Sequence, residues 1–212
     1  MKVTNICAAV IVAATALATQ ASGESSSPFT PSVPVAKILM AVQKLIAAGD
    51  YKTAMDQLRA AQALPGRTAD DDYLINEFTV ASALKLNDTA TAGVALEAMA
   101  DSPDLQKDPN KSDVLTNAMV VENIAKKYQK SIAYGTELQA IAPLQGKQLV
   151  VMTEAYYFSN DYPHAKEYAE KAIAEAKAAG TSPPKEIDQI MFNINLKTGS
   201  GHATTHHSKR HS

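Results

Sequence analysis

A short pattern of small and apolar residues recurs four times along this chain at nearly constant spacing. In each copy a turn signal precedes a helix that carries a small residue near its start and further small or apolar residues at helical intervals. The equivalent small residues are Ala54, Ala92, Ser131 and Ala165, separated by steps of 38, 39 and 34 residues. A repeat of this length indicates helical hairpins that stack and bury their apolar faces against one another. The sequence therefore predicts an all-α fold, a short helical solenoid that offers an extended surface to partners.

The composition fits helices that approach each other closely and excludes several classes of protein. Hydrophobic residues make up 46% of the 212, but alanine dominates them and tryptophan is absent. A formal net charge of -2 argues against a nucleic-acid partner, which would require a basic surface. Neither a GxGxxG nor a GxxxxGK[ST] motif occurs, so no nucleotide cofactor is expected.

Residues 1–23 have the pattern of a cleaved secretory signal peptide. Lys2 precedes an uncharged apolar run from Ile6 to Ala18, and small residues follow it. A transmembrane anchor is the alternative, but the run is shorter than the roughly 20 residues that a spanning helix needs. The mature protein is therefore expected in the periplasm or outside the cell, with no stable membrane span. Cys7 lies within the apolar run, so the mature chain would contain no cysteine.

The remaining chain divides into a linker, a repeat domain and a tail. Residues 24–34 are rich in Ser and Pro and are expected to form an extended, weakly ordered linker. Apolar periodicity then predicts four helical hairpins and a ninth, capping helix over 35–198. The predicted helices cover 35–48, 51–64, 73–86, 89–100, 147–159, 162–179 and 185–197, with the third hairpin over 112–143. The acidic run at 70–72 is interpreted as helix capping, since no EF-hand spacing follows it.

The fourth unit resembles a tetratricopeptide repeat. Residues 155–173 read AYYFSNDYPHAKEYAEKAI, and the stretch from Gly49 to Pro65 is similar to this family nearly as closely. The second and third units depart from the pattern, and Gly135 at a packing position is expected to weaken its helix by up to about 1 kcal/mol. The resemblance covers about residues 35–179 and implies a right-handed superhelix.

The resemblance also implies that the first helix of each hairpin lines a concave groove. The residues expected to point into this groove are Leu39, Gln43, Glu77, Ala81, Thr116, Val120, Val150, Glu154 and Tyr157. The row is mildly acidic and poor in Lys and Arg, so a neutral or basic protein or peptide partner is expected. For Leu39, Val120, Val150 and Tyr157, helix packing is the alternative role.

No catalytic residue is predicted. The body of the chain has one histidine, His164, which follows a turn proline and should be solvated, and no GxSxG or HExxH motif occurs. The tail, 199–212, has a composition that cannot bury a core. It contains four weak metal-ligand candidates, His202, His206, His207 and His211. The favoured function is a non-enzymatic interaction or scaffold module of the cell envelope, and the alternative is metal sequestration by the tail. The sequence leaves the oligomeric state open.

Overall fold

The computed structural model describes residues 27–199, and the regular structure within that range is entirely helical. The helices are α1 Val33–Ala47, α2 Tyr51–Gln62, α3 Ala69–Lys85, α4 Thr89–Ala100, α5 Lys111–Ile124, α6 Tyr128–Ile141, α7 Lys147–Phe158, α8 Tyr162–Ala178 and α9 Lys185–Lys197. A short 3-10 helix, Pro103–Lys107, lies between α4 and α5. The all-α prediction is confirmed for this part of the chain. The predicted signal peptide with Cys7 and the four tail histidines lie outside it.

The chain divides into two compact units, one ending at Ala118 and one beginning at Met119. In the first unit α1 packs on α2, α3 packs on α4, and α3 also contacts both helices of the first hairpin. In the second unit α7 packs on α8, and α9 contacts both of them. Within each unit, neighbouring helices therefore pair as the repeat predicts, and a new first helix lies against the hairpin before it. None of the helices in 27–199 has the length and apolar character needed to cross a bilayer.

Each hairpin turn contains one residue in the left-handed conformation at the same place in the repeat. These residues are Gly49, Asn87, Lys126 and Asn160, with φ of 77°, 58°, 62° and 63°. In three turns the next residue is an aspartate whose side chain accepts a backbone N–H of the following helix. The third turn has Lys127 there, which cannot cap a helix N-terminus. The turns repeat with the same steps as the small residues, which explains why the helix ends could be predicted.

The four equivalent small residues sit where helices touch. Ala54, Ala92, Ser131 and Ala165 are each 0% exposed, and the Ser131 hydroxyl donates to the Met119 carbonyl at 2.9 Å. The absence of a side chain at Gly135, one turn after Ser131, also has a steric reason. A Cβ there would lie 2.2 Å from the sulfur of Met152 and 2.9 Å from that of Met119. Helix α6 runs unbroken through this glycine, which makes room for two buried methionines.

The segment before α1 differs from the predicted weakly ordered linker. Phe29 is buried and its ring stacks on that of Tyr73 with 4.5 Å between the centroids. The backbone N–H of Ser32 donates to Asp71 Oδ1 at 2.7 Å, and that of Thr30 to Asp70 Oδ2 at 2.8 Å. The described part of the segment is therefore held against the first turn of α3. The acidic residues of this turn cap α3 as predicted, since Asp71 and Thr68 form a capping box, and they also bind this preceding segment.

Candidate functional site

The predicted groove row divides into core residues and reachable residues. Leu39 is 0% exposed and Val120 is 6% exposed, so both pack in the core of their units. Both therefore have the helix-packing role given above as their alternative, because burial by neighbouring helices decides the role of an apolar residue on a first helix. The other members are half-buried and keep part of their surface accessible: Gln43, Glu77, Ala81, Thr116, Val150, Glu154 and Tyr157.

Glu77 in the middle of α3 is the most unusual member of the row. Burial and the nearby charge of Asp108 raise the pKa of its carboxyl to about 7. One turn earlier on α3, the Tyr73 hydroxyl donates to Asp108 Oδ2 at 2.7 Å, which fixes that buried carboxylate in place. The desolvation of Tyr73 and this hydrogen bond also raise the pKa of its phenol. Glu77 thus lies near a second carboxylate, that of Asp108, which the Tyr73 hydroxyl holds in place.

No cation within residues 27–199 neutralises Glu77. The described side chains offer it no hydrogen bond and no ion pair. Lys107, the last residue of the 3-10 helix, pairs with other acids, with its ammonium 2.9 Å from Asp70 and 2.8 Å from Asp104. A half-buried carboxyl beside a second acid is an unfavourable arrangement unless something else supplies a proton or a positive charge.

Glu154 in the middle of α7 is the carboxyl of the predicted row in the second unit; in the register of the repeat it is equivalent to Ala81. The Asn123 side-chain amide donates to its Oε2 at 2.7 Å. Burial raises the pKa of Glu154, the Asn123 hydrogen bond opposes this shift, and the charge of Glu186 adds to it. Among the described residues Glu154 has no ion pair. It is therefore held by one neutral donor and has no cation next to it.

An aromatic cluster lies at the end of α7 and includes one predicted site residue, Tyr157. Phe158 stacks on Tyr128 and meets the edge of Tyr157, each with 5.2 Å between centroids. The Lys197 ammonium, at the end of α9, lies 5.3 Å from the Tyr157 ring and 5.0 Å from that of Tyr162, and it donates to the Tyr162 hydroxyl at 2.9 Å. These contacts place the C-terminal ends of α7 and α9 next to each other.

Large apolar side chains remain exposed beside this cluster. Four of them define what we term the apolar face of the second unit: Ile124 at 57% exposure, Phe158 at 53%, Phe192 at 63% and Leu196 at 62%. Ile124 and Phe158 are separated by the 34-residue step of the repeat. Helix α9 aligns with α7 when the residue number is raised by 38. This alignment places buried Ile187 and Ile190 at the positions of buried Leu149 and Met152. It also places Leu196 at the position of Phe158. The helices α5, α7 and α9 therefore each carry an exposed apolar residue at one place in the repeat.

None of these four residues is predicted from the sequence alone to lie on a partner surface. An alignment of α9 with the first helices of the hairpins, made with the step of the repeat, would have identified them. Exposure is the part that the sequence alone does not supply, because Ile124 and Ile190 look alike until the packing is known.

His164 is the one histidine among residues 27–199, and it lies near the start of α8. The His164 Nδ1 lies 2.7 Å from Asp161 Oδ2, both side chains are exposed, and Asp161 also caps α8. Within residues 27–199, no group of three or more His, Cys, Asp or Glu side chains is arranged to hold a metal ion. The tail histidines stay a prediction from the sequence.

No protein-family model matches the chain, and comparison with curated proteins and with solved structures gives no match. The tetratricopeptide resemblance therefore depends on the repeated residues and on the paired helices described above.

Proposed function

We propose that this chain is a non-enzymatic interaction module of the cell envelope that binds a protein or peptide partner on the face of its first helices. The observation that carries the proposal is Glu77, a half-buried carboxyl with a raised pKa, an acidic neighbour and no neutralising cation among residues 27–199. Such a group costs stability in the isolated protein. A lysine, arginine or amino terminus of a partner would offset that cost on binding, because it would supply the missing positive charge.

The second unit supports the same kind of partner. Glu154 also has no ion pair within the part of the chain that the structure describes, and it lies one turn before Phe158 on the same helix. In the first unit Ala81 lies one turn after Glu77, where its small side chain leaves room for a ligand. Each unit thus offers a carboxyl next to an uncharged surface, which suits a segment that alternates basic and apolar side chains.

The finer structural assignment belongs to the same proposal. We interpret the paired helices as tetratricopeptide-like hairpins, supported by the four equivalent left-handed turn residues. The right-handed superhelix is what the resemblance to that family implies. Export of the chain with removal of residues 1–23 would place this module in the periplasm or outside the cell.

A quantitative pull-down from an envelope extract tests this function. We expect the double variant Glu77→Lys with Glu154→Lys to retain about one tenth or less of the partner that the wild type retains. The introduced lysines would repel a basic ligand. The matched control is Asp56→Lys with Glu170→Lys, which makes the same charge change on exposed faces of α2 and α8. Circular dichroism should show equal helicity for both variants.

A truncation that removes residues 199–212 completes the comparison. It should leave the partner bound while abolishing any retention of nickel or zinc. If the truncation loses the partner and the charge reversals at positions 77 and 154 do not, metal sequestration by the tail becomes the better account.

A further inference from the structure

The apolar face of the second unit exposes four large apolar side chains to solvent. Ile124, Phe158, Phe192 and Leu196 are each more than half exposed, and the Phe158 ring continues into the tyrosine cluster through Tyr128 and Tyr157. An apolar patch of this kind on a small protein commonly marks an interaction site. The occupant must bring large apolar groups of its own, because only they gain from covering this surface.

The chain segments outside the described residues do not supply such groups to the mature protein. Residues 200–212 contain a single apolar residue, Ala203, among polar and basic ones. The apolar run from Ile6 to Ala18 belongs to the predicted signal peptide, which export would remove. The polar tail could neutralise Glu154, but it cannot cover two phenylalanines.

We propose that a second copy of this chain covers the apolar face and forms a two-fold symmetric dimer through the second unit. This inference deepens the proposed function and rests on it, because it identifies the source of the basic group that Glu154 lacks. A second copy is self-complementary in charge as well as apolar: Lys197 lies at one end of the face, and Glu154 lies one helical turn before Phe158.

Two-fold symmetry requires each contact to occur twice with the roles of the copies exchanged. With α7 of one copy antiparallel to α9 of the other, Phe158 meets the second copy's α9 near Phe192. The same arrangement brings Lys197 at the end of α9 towards the other copy's Glu154. Apolar residues thus meet apolar residues, and the one lysine of the cluster meets the carboxyl that lacks a cation.

The size of the face sets the expected affinity. Two phenylalanines, an isoleucine and a leucine that are each more than half exposed present on the order of 300–400 Å². Two such faces with a polar rim reach roughly 1,000 Å², the low end of specific interfaces. An interface of this size is typical of a weak complex, so we expect a dissociation constant on the order of 10 μM, which is measurable with purified protein.

Sedimentation velocity over a concentration series of the purified mature chain tests the dimer. We expect Phe158→Ser with Phe192→Ser to raise the dissociation constant about tenfold or more, because buried aromatic residues dominate such contacts. The matched control is Val94→Ser with Ile141→Ser, which removes two other exposed apolar side chains outside this face. The control should dimerise like the wild type.

A charge exchange identifies the second copy directly. Glu154→Lys and Lys197→Glu should each weaken the dimer, and the chain that carries both changes should recover most of the wild-type affinity. Removal of residues 200–212 should leave the dissociation constant unchanged.

Three results would overturn the dimer. A wild-type chain that stays monomeric up to roughly 0.5 mM, far above the expected constant, leaves the face to another protein. A dimer that the serine variants do not weaken uses a different surface. If the chain dimerises only after the tail is removed, the tail covers the apolar face in the intact chain. The pull-down from envelope extract is a separate experiment, so a monomeric chain that still captures a partner would refute the dimer while the proposed function stands.

Discussion

Replacing Glu77 with Gln is expected to raise the free energy of unfolding at pH 8 by about 2–3 kcal/mol and to change it little at pH 4. The folded state raises the pKa of this carboxyl from 4.5 to about 7. Folding therefore favours the protonated form, so that wild-type stability is highest below pH 4.5 with respect to this group. It falls as the pH rises through about 7, where the folded protein loses the proton.

Glutamine is neutral at every pH and keeps nearly the same shape, so the variant avoids the cost of a buried charge beside Asp108. Urea unfolding at pH 4, 6 and 8 measures the effect. Glu170→Gln is the matched control, since Glu170 is 59% exposed and should give differences near zero at all three values. A Glu77→Gln effect that is the same at pH 4 and pH 8 would show that Glu77 is not held as described.

Replacing Ala165 or Ala54 with Leu is expected to destabilise the fold by about 1–3 kcal/mol or more, and Ala176→Leu by clearly less. Ala165 is 0% exposed and packs in one cluster with Ile190 and Ile194 of α9. Ala54 is 0% exposed at the equivalent position of the first hairpin. Three added carbon atoms at either site must push two helices apart.

Ala176 provides the comparison because it is buried but has space beside it. It lines a surface pocket of about 200 Å³ together with Gly146 and Pro184, into which a leucine can extend. Thermal unfolding of the three variants, followed by circular dichroism, gives the order. Equal melting temperatures would show that the assigned register of the repeat is wrong.

Local chemistry explains how much of the fold could be predicted from the sequence. Gly49, Asn87 and Asn160 favour the left-handed turn, and the aspartate after each caps the next helix, so hairpin ends follow from two adjacent residues. The ninth helix, Lys185–Lys197, has the bounds that its periodicity predicts.

Long-range contacts explain what could not be predicted. Phe29 lies in a Ser- and Pro-rich segment, and only its stacking on Tyr73, 44 positions later, orders it. Leu105 is buried in a segment that reads as a polar loop. Burial and the charge of Asp108, which lies between the 3-10 helix and α5, raise the pKa of Glu77. In each case the deciding neighbour is distant in sequence, so neither propensity nor spacing could identify it.

Site-specific photo-crosslinking in the cell envelope tests the central claim, partner binding on the first helices, most directly. A photoreactive residue at Ala81 on α3 or at Val150 on α7 replaces a half-buried side chain of the groove row in each unit. The same photoreactive residue at Gln57 on α2 or at Ala174 on α8 probes the exposed second helices. Binding on the first helices predicts crosslinks to one protein, another molecule of this chain included, from Ala81 and Val150 and none from Gln57 and Ala174. Crosslinks from Gln57 or Ala174 alone, or from none of the four positions, would contradict it.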